Sequence, residues 1–167
     1  MGYTTKFKGR LSIEPPLNTA EIQYLRSFAV IRHTERGGLD AKVYGILGCY
    51  YVSNGNYAED DTGVLLGRHN YQPPGQPGPW CDFHPTEDGK YLEWTGAKMT
   101  YNATSWVQYL ITEFLCPHAA ASAYDLDLFR DFTFNHKVNG VIAAEGERRG
   151  DDWYLAVVNN HAKRFDK

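Results

Sequence analysis

Gln72–Trp94 reads QPPGQPGPWCDFHPTEDGKYLEW, a Pro/Gly loop running straight into an aromatic-rich hairpin. Proline fixes φ and glycine supplies conformations that other residues avoid, so residues 72–79 are expected to be ordered surface chain, neither helix nor strand. Trp80–His84 and Lys90–Trp94 flank a Pro-Thr-Glu-Asp-Gly connection in which Asp88-Gly89 supplies the positive φ of a tight turn. Alternation along a strand puts Cys81 and Phe83 on one face with Leu92 and Trp94, the face that should be core, and leaves Asp82 and Glu93 outward.

Toward the C-terminus, Thr104–Leu115 carries Trp106, Val107, Leu110, Ile111, Phe114 and Leu115 at helical spacing. That predicts a helix ending before Pro117, capped by Asn102 or Thr104. Phe132–Val138 alternates, Asn139-Gly140 reads as a hairpin turn, Val141–Glu147 returns, and Trp153–Val158 supplies a third strand. Arg148-Arg149 reads as a solvated hairpin tip, and Lys163, Arg164 and Lys167 as a frayed terminus.

Toward the N-terminus, Tyr3–Ile13 predicts a first strand ended by Pro15 and Pro16. Asn18 with Glu21 three residues on is a capping box, and Ile22, Leu25, Phe28 and Ala29 extend a helix to about Thr34. Its outer side carries Arg26, Arg32, His33 and Arg36, read as a solvated face. Lys42–Val52 suits a strand, or a short helix then a strand; 53–56 is a turn signal, and Glu59-Asp60-Asp61 a solvated acidic tip rather than a metal loop. The sum is a single α+β domain over residues 1–167: an antiparallel sheet, two main helices packed on it, and a C-terminal three-stranded meander.

A chain of 167 residues, 43% hydrophobic and 22% charged, suits one core. The net charge of −3 supplies no basic field, so nucleic acid is not an expected partner. No secretory h-region opens the chain, and the apolar run Trp106–Cys116 is too short to span a bilayer; a cytoplasmic protein with no membrane partner is expected. Cys49, Cys81 and Cys116 are odd in number and widely spaced, which fits free thiols.

Candidate chemistry is sparse. Cys81, His84, Cys116 and His118 are zinc-type donors, but their spacing sets Cys81 and His84 on opposite faces, so no metal is expected. Cys81 could act as a nucleophile with His69, His84 or His136 if the fold joined them. No phosphate loop, nucleophile elbow or cofactor motif is present, so no cofactor is expected and no catalytic residue is assigned. The preferred binding surface is the aromatic loop: Tyr57, Tyr71 and Trp80 rimmed by Arg68 and His69, residue types that anchor protein interfaces or stack on a nucleobase.

Gly2-Tyr3-Thr4-Thr5 with Phe7 and Gly9, Pro15-Pro16-Leu17, and Tyr24-Leu25 with Phe28 and Arg32 resemble the opening of a family of uncharacterised bacterial and bacteriophage proteins. Pro73–Gly78 leading to Trp80-Cys81, Pro85–Gly89, Glu93-Trp94, Trp106 and Tyr109-Leu110-Ile111 are similar to its middle, and Asn139-Gly140, Ile142, Gly146-Glu147, Asp152 and Asn160 to its end. The chain departs from that pattern at His84 and His118 and in extra residues around Ala119–Asp131. The resemblance implies origin and no mechanism. The leading expectation is a small phage or mobile-element accessory protein that binds a host protein and inhibits a defence complex. The alternatives are a protein sequestering a nucleotide or small signalling molecule, and a thiol-dependent hydrolase. A homodimer through an open sheet edge is a further expected partner.

Overall fold

The computed structural model describes residues 2–52 and 71–167, so the turn at 53–56, the acidic tip, Tyr57, Arg68 and His69 lie outside the described residues. Among the described residues, seven strands form one antiparallel sheet: β1 (Thr5–Lys8), β2 (Leu11–Glu14), β3 (Phe83–Pro85), β4 (Tyr91–Trp94), β5 (Lys137–Gly146), β6 (Trp153–Val158) and β7 (His161–Asp166). The order is β3-β4-β2-β5-β6-β7, and β1 joins β5 beyond the end of β2. The α+β class and the C-terminal meander β5-β6-β7 follow the sequence reading.

Details of the sheet differ from it. The single strand expected over Tyr3–Ile13 is two, broken at Gly9, whose φ of +106° and 3.0 Å approach of a would-be Cβ to the Val141 carbonyl only glycine tolerates. Asn139-Gly140 is not a turn: β5 runs straight through it, because Gly140 lies against β2, where a Cβ would sit 3.2 Å from Leu11 Cα. The meander instead turns at Asn159-Asn160, both left-handed (φ 47° and 71°), as a two-residue hairpin loop requires. The chain end read as frayed is β7, paired along its whole length with β6.

Alternation decides the layers. Phe7, Leu11, Ile13, Ile142, Leu155 and Val157 point to one face and are buried. That face is covered by α1 (Thr19–Val30) and α3 (Ala103–Leu110), while α2 (Ala41–Tyr44) and a 3-10 turn at Ile46–Gly48 replace the strand considered for Lys42–Val52. α1 has both halves of its capping box, Glu21 N–H to Asn18 Oδ1 and Asn18 N–H to Glu21 Oε1, each 2.9 Å.

It ends at Val30, short of Thr34, because the next residues serve the Pro/Gly loop: His33 N–H donates to the Pro79 carbonyl (2.7 Å) and Glu35 N–H to Tyr71 (2.8 Å). The basic face expected to be solvated is corrected accordingly, since His33 and Arg36 are buried and Arg26 donates to the Pro85 carbonyl. His33 lies 4.2 Å from the Phe28 ring, centroid to centroid, with Nε2 2.9 Å from the Phe28 carbonyl, and burial pushes its pKa down to about 3.

α3 passes into a π turn, Ile111–Leu115, and stops before Pro117 as expected. Tyr24, Phe28, Phe114 and Phe129 pack edge to face around it. The residues after Pro117 form two 3-10 turns that bring Phe129 and Phe132 onto Tyr24.

Behind them lies a buried ion pair: Glu21 Oε2 accepts from His136 Nε2 (2.8 Å) and from Thr133 (3.2 Å), and His136 Nδ1 donates to the Pro15 carbonyl (2.6 Å). A carbonyl and a carboxylate only accept, so both ring nitrogens carry protons and the ring is an imidazolium. Burial opposes both charges, but the bonds each partner makes outweigh it, holding His136 above and Glu21 below its usual pKa. Among the described residues, no helix is long and apolar enough to cross a membrane.

Candidate functional site

The site is built at the start of α3. Asn102 occupies the cap position in the left-handed conformation (φ 58°) and makes no side-chain cap; its Nδ2 donates to the Pro77 carbonyl instead (3.1 Å). Thr104 does not cap either, so the expected cap is absent and the N–H groups of Ala103, Thr104 and Ser105 have no partner within the helix. Asn102 thus clamps the Pro/Gly loop and leaves the positive end of the helix dipole facing outward.

That end opens on a cleft of about 610 Å³ between α3 and the inner face of the sheet, lined by Tyr3, Tyr101, Thr104, Ser105, Trp153 and Arg164 among others. Pairing sets Arg164 opposite Leu155, hence on the inner face, where its guanidinium lies 4.4 Å over the Trp153 ring. Asp151 also borders the cleft, and Tyr3 donates its hydroxyl to that carboxylate at 2.5 Å.

A second hollow, about 380 Å³, shares Tyr101 and Asn102 with the first and is walled by Trp80, Met99, Asp82 and Trp106. Asp82, expected to face outward, is 7% exposed in a left-handed conformation (φ 61°). Burial pushes its carboxyl up, against a hydrogen bond from Thr100, whose hydroxyl in turn accepts from Trp94 Nε1 (2.8 Å). Trp106 is fully buried, and its Nε1 has no hydrogen-bond partner. It faces Gly78, where a Cβ would sit 3.8 Å away.

Further along α3, Glu113 stands in the π turn and lines two more hollows, of about 430 and 160 Å³. Burial pushes its carboxyl up while Tyr50, whose hydroxyl donates at 3.3 Å, and Tyr109 hold it down. The neighbouring Cys49 thiol is pushed up to about 11 by burial and by Glu113, which leaves it a poor nucleophile.

Of the surface expected from the sequence, Trp80 is 38% exposed and lines the second hollow, while Tyr71 is 56% exposed and borders neither cleft. Cys81 is fully buried, its thiol pushed well up by burial, and His136 is committed to Glu21, which argues against a thiol nucleophile. Among the described residues, no three His, Cys, Asp or Glu side chains gather as metal ligands. Sequence reasoning missed Asp82, Tyr101, Asn102, Trp153 and Arg164; an Asn preceding an apolar helix reads as a cap, and nothing local marks it as a clamp. No family model, curated protein or solved structure matches the chain.

Proposed function

We propose that the protein acts by binding, and that the cleft at the start of α3 takes a small anionic, ring-bearing ligand of the nucleotide class. The observation that carries this is the convergence of uncapped helix N–H groups, the Thr104 and Ser105 hydroxyls and Arg164 beside the Trp153, Tyr3 and Tyr101 rings. Backbone N–H groups and a guanidinium suit phosphate oxygens, and aromatic rings suit a sugar or base. The alternative of nucleotide sequestration is thereby preferred, with Arg164 as the phosphate partner.

Calorimetric titration with nucleoside mono- and diphosphates tests it: heat is expected, with affinity falling about ten-fold in Arg164→Gln. Flat titrations across the panel would refute it.

A second reading, the host-protein inhibitor of phage or mobile-element origin, draws on the uncovered face of β5–β7, where Val141, Tyr154, Val158 and Phe165 are exposed. Aliphatic and aromatic anchors of this kind suit a protein partner, and the edge of β7, which has no strand beyond it among the described residues, suits a second copy. Loss of a captured host complex in Val158→Lys, with the melting temperature unchanged, supports that reading.

A further inference from the structure

Two groups in the second hollow have opposite needs. Asp82 is a carboxyl 7% exposed, with the Thr100 hydroxyl as a donor and no ion-pair partner among the described residues, so its remaining acceptor sites suit the N–H donors of a ligand. Trp106 Nε1 is a buried donor with no acceptor. Buried polar groups in a finished structure are paired, and an orphan beside a cavity marks where a ligand atom completes the set. Both left-handed residues here, Asp82 and Asn102, border this hollow.

We infer that the hollow between Trp80 and Tyr101 is a guanine-recognition site, and that the ligand of the adjoining cleft is a guanine nucleotide. This rests on the nucleotide reading above. Guanine carries a carbonyl oxygen beside two parallel N–H donors on one planar edge: the donors meet Asp82 and the oxygen accepts from Trp106. Adenine and cytosine offer a carboxylate one amino group next to a ring-nitrogen lone pair, which repels it. Uracil sets its single N–H between two carbonyl oxygens. Trp80 and Tyr101 supply flat walls, Gly78 keeps the floor beside the indole N–H clear, and the shared residues Tyr101 and Asn102 carry the sugar across to the N–H groups of Ala103–Ser105.

The test is calorimetry on the full chain with guanosine, inosine, adenosine and xanthosine monophosphates and with ribose phosphate. The guanosine ligand is expected to bind at least about ten-fold more tightly than adenosine monophosphate or ribose phosphate, with inosine, which lacks the amino group, between them. In Asp82→Asn, whose new amide donor suits the second carbonyl of xanthine, preference should pass from guanosine to xanthosine; asparagine tolerates the left-handed backbone, so the fold should survive.

Equal affinity for all the wild-type ligands, ribose phosphate included, overturns the guanine site and leaves the anion cleft standing. Displacement of the guanine ligand by tetramethylammonium makes the hollow a cation cage and overturns it too. Absence of any binding overturns both readings.

Discussion

Replacing Glu21 by Gln tests how the buried pair with His136 holds α1 to the segment that follows Pro117. The carboxylate accepts from Asn18 N–H, Thr133 and His136, and both side chains of the pair are at most 1% exposed. An amide keeps the shape but removes the charge, and its NH2 group faces donors. Breaking a buried pair from one side costs about 3–5 kcal/mol, a large share of the roughly 5–15 kcal/mol that holds a domain folded.

The loss should depend on pH. His136 is held above its usual pKa of 6.5, so its contribution is complete below 6.5 and lost as pH rises through the folded-state value. Glu21 is held below 4.5, so its contribution is complete above 4.5 and lost as pH falls through its own folded-state value. The pair therefore contributes most between those two values. Urea unfolding followed by tryptophan fluorescence at about pH 5.5 and about pH 8.5 should show the larger difference between Glu21→Gln and wild type at the lower pH. A difference under about 1 kcal/mol at the lower pH, or one that grows at the higher, would refute the imidazolium–carboxylate assignment.

His33 works in the opposite sense. Its ring is buried and neutral with a pKa of about 3 against 6.5 unfolded, so its contribution is present above 6.5 and lost as pH falls toward 3, on the order of 5 kcal/mol in all. His33→Gln should shift the acid-unfolding midpoint, read by circular dichroism, to lower pH; an unmoved midpoint would show that His33 is not the acid-sensitive group. Asn160→Ala removes the bonds to Val138 N–H (2.7 Å) and the His136 carbonyl (3.2 Å) at a left-handed position and should cost about 2–3 kcal/mol. Asn160→Gly, keeping the backbone at ease, should cost measurably less, and equal losses would mean that conformation contributes nothing there. Gly140→Ala should destabilise by about 1–3 kcal/mol in the same urea assay, because its Cβ meets the Arg10 carbonyl at 3.2 Å; a neutral result would refute the close approach of β2 to Gly140.

Signals carried by adjacent residues were legible in the sequence. Asn18 and Glu21 cap α1 as read, and Asp88-Gly89 turns the β3–β4 hairpin, with Gly89 at φ 72° and Asp88 Oδ1 accepting from Lys90 N–H at 3.0 Å. The apolar stripe of α3 is buried as its spacing requires. The errors have one physical source, local chemistry overruled by a distant neighbour. Gly140 is glycine because β2 passes close by, His33 is buried because the Pro/Gly loop folds over it, and Arg36 because the turn through Leu47, Gly48 and Tyr51 packs on it. The cleft was illegible for the same reason: Tyr3, Tyr101, Trp153 and Arg164 come from separate segments with no shared motif. Trp80 is partly exposed beside the second hollow, at the end of the rigid loop that fixes where it emerges.

The position of β5 has a consequence for how the protein is made. Ser12 pairs with Asn139 across 127 residues, and among the described residues β1 pairs with β5 alone, at Ala143–Gly146. At about 5–20 residues per second, a ribosome holds Phe7, Leu11 and Ile13 without their central strand for a time on the order of ten seconds. Through that interval β2 has only β4 to pair with and β1 lacks β5, which leaves an apolar surface suited to chaperone capture. After release, closing so long a loop makes docking of β5 the natural slow step of folding.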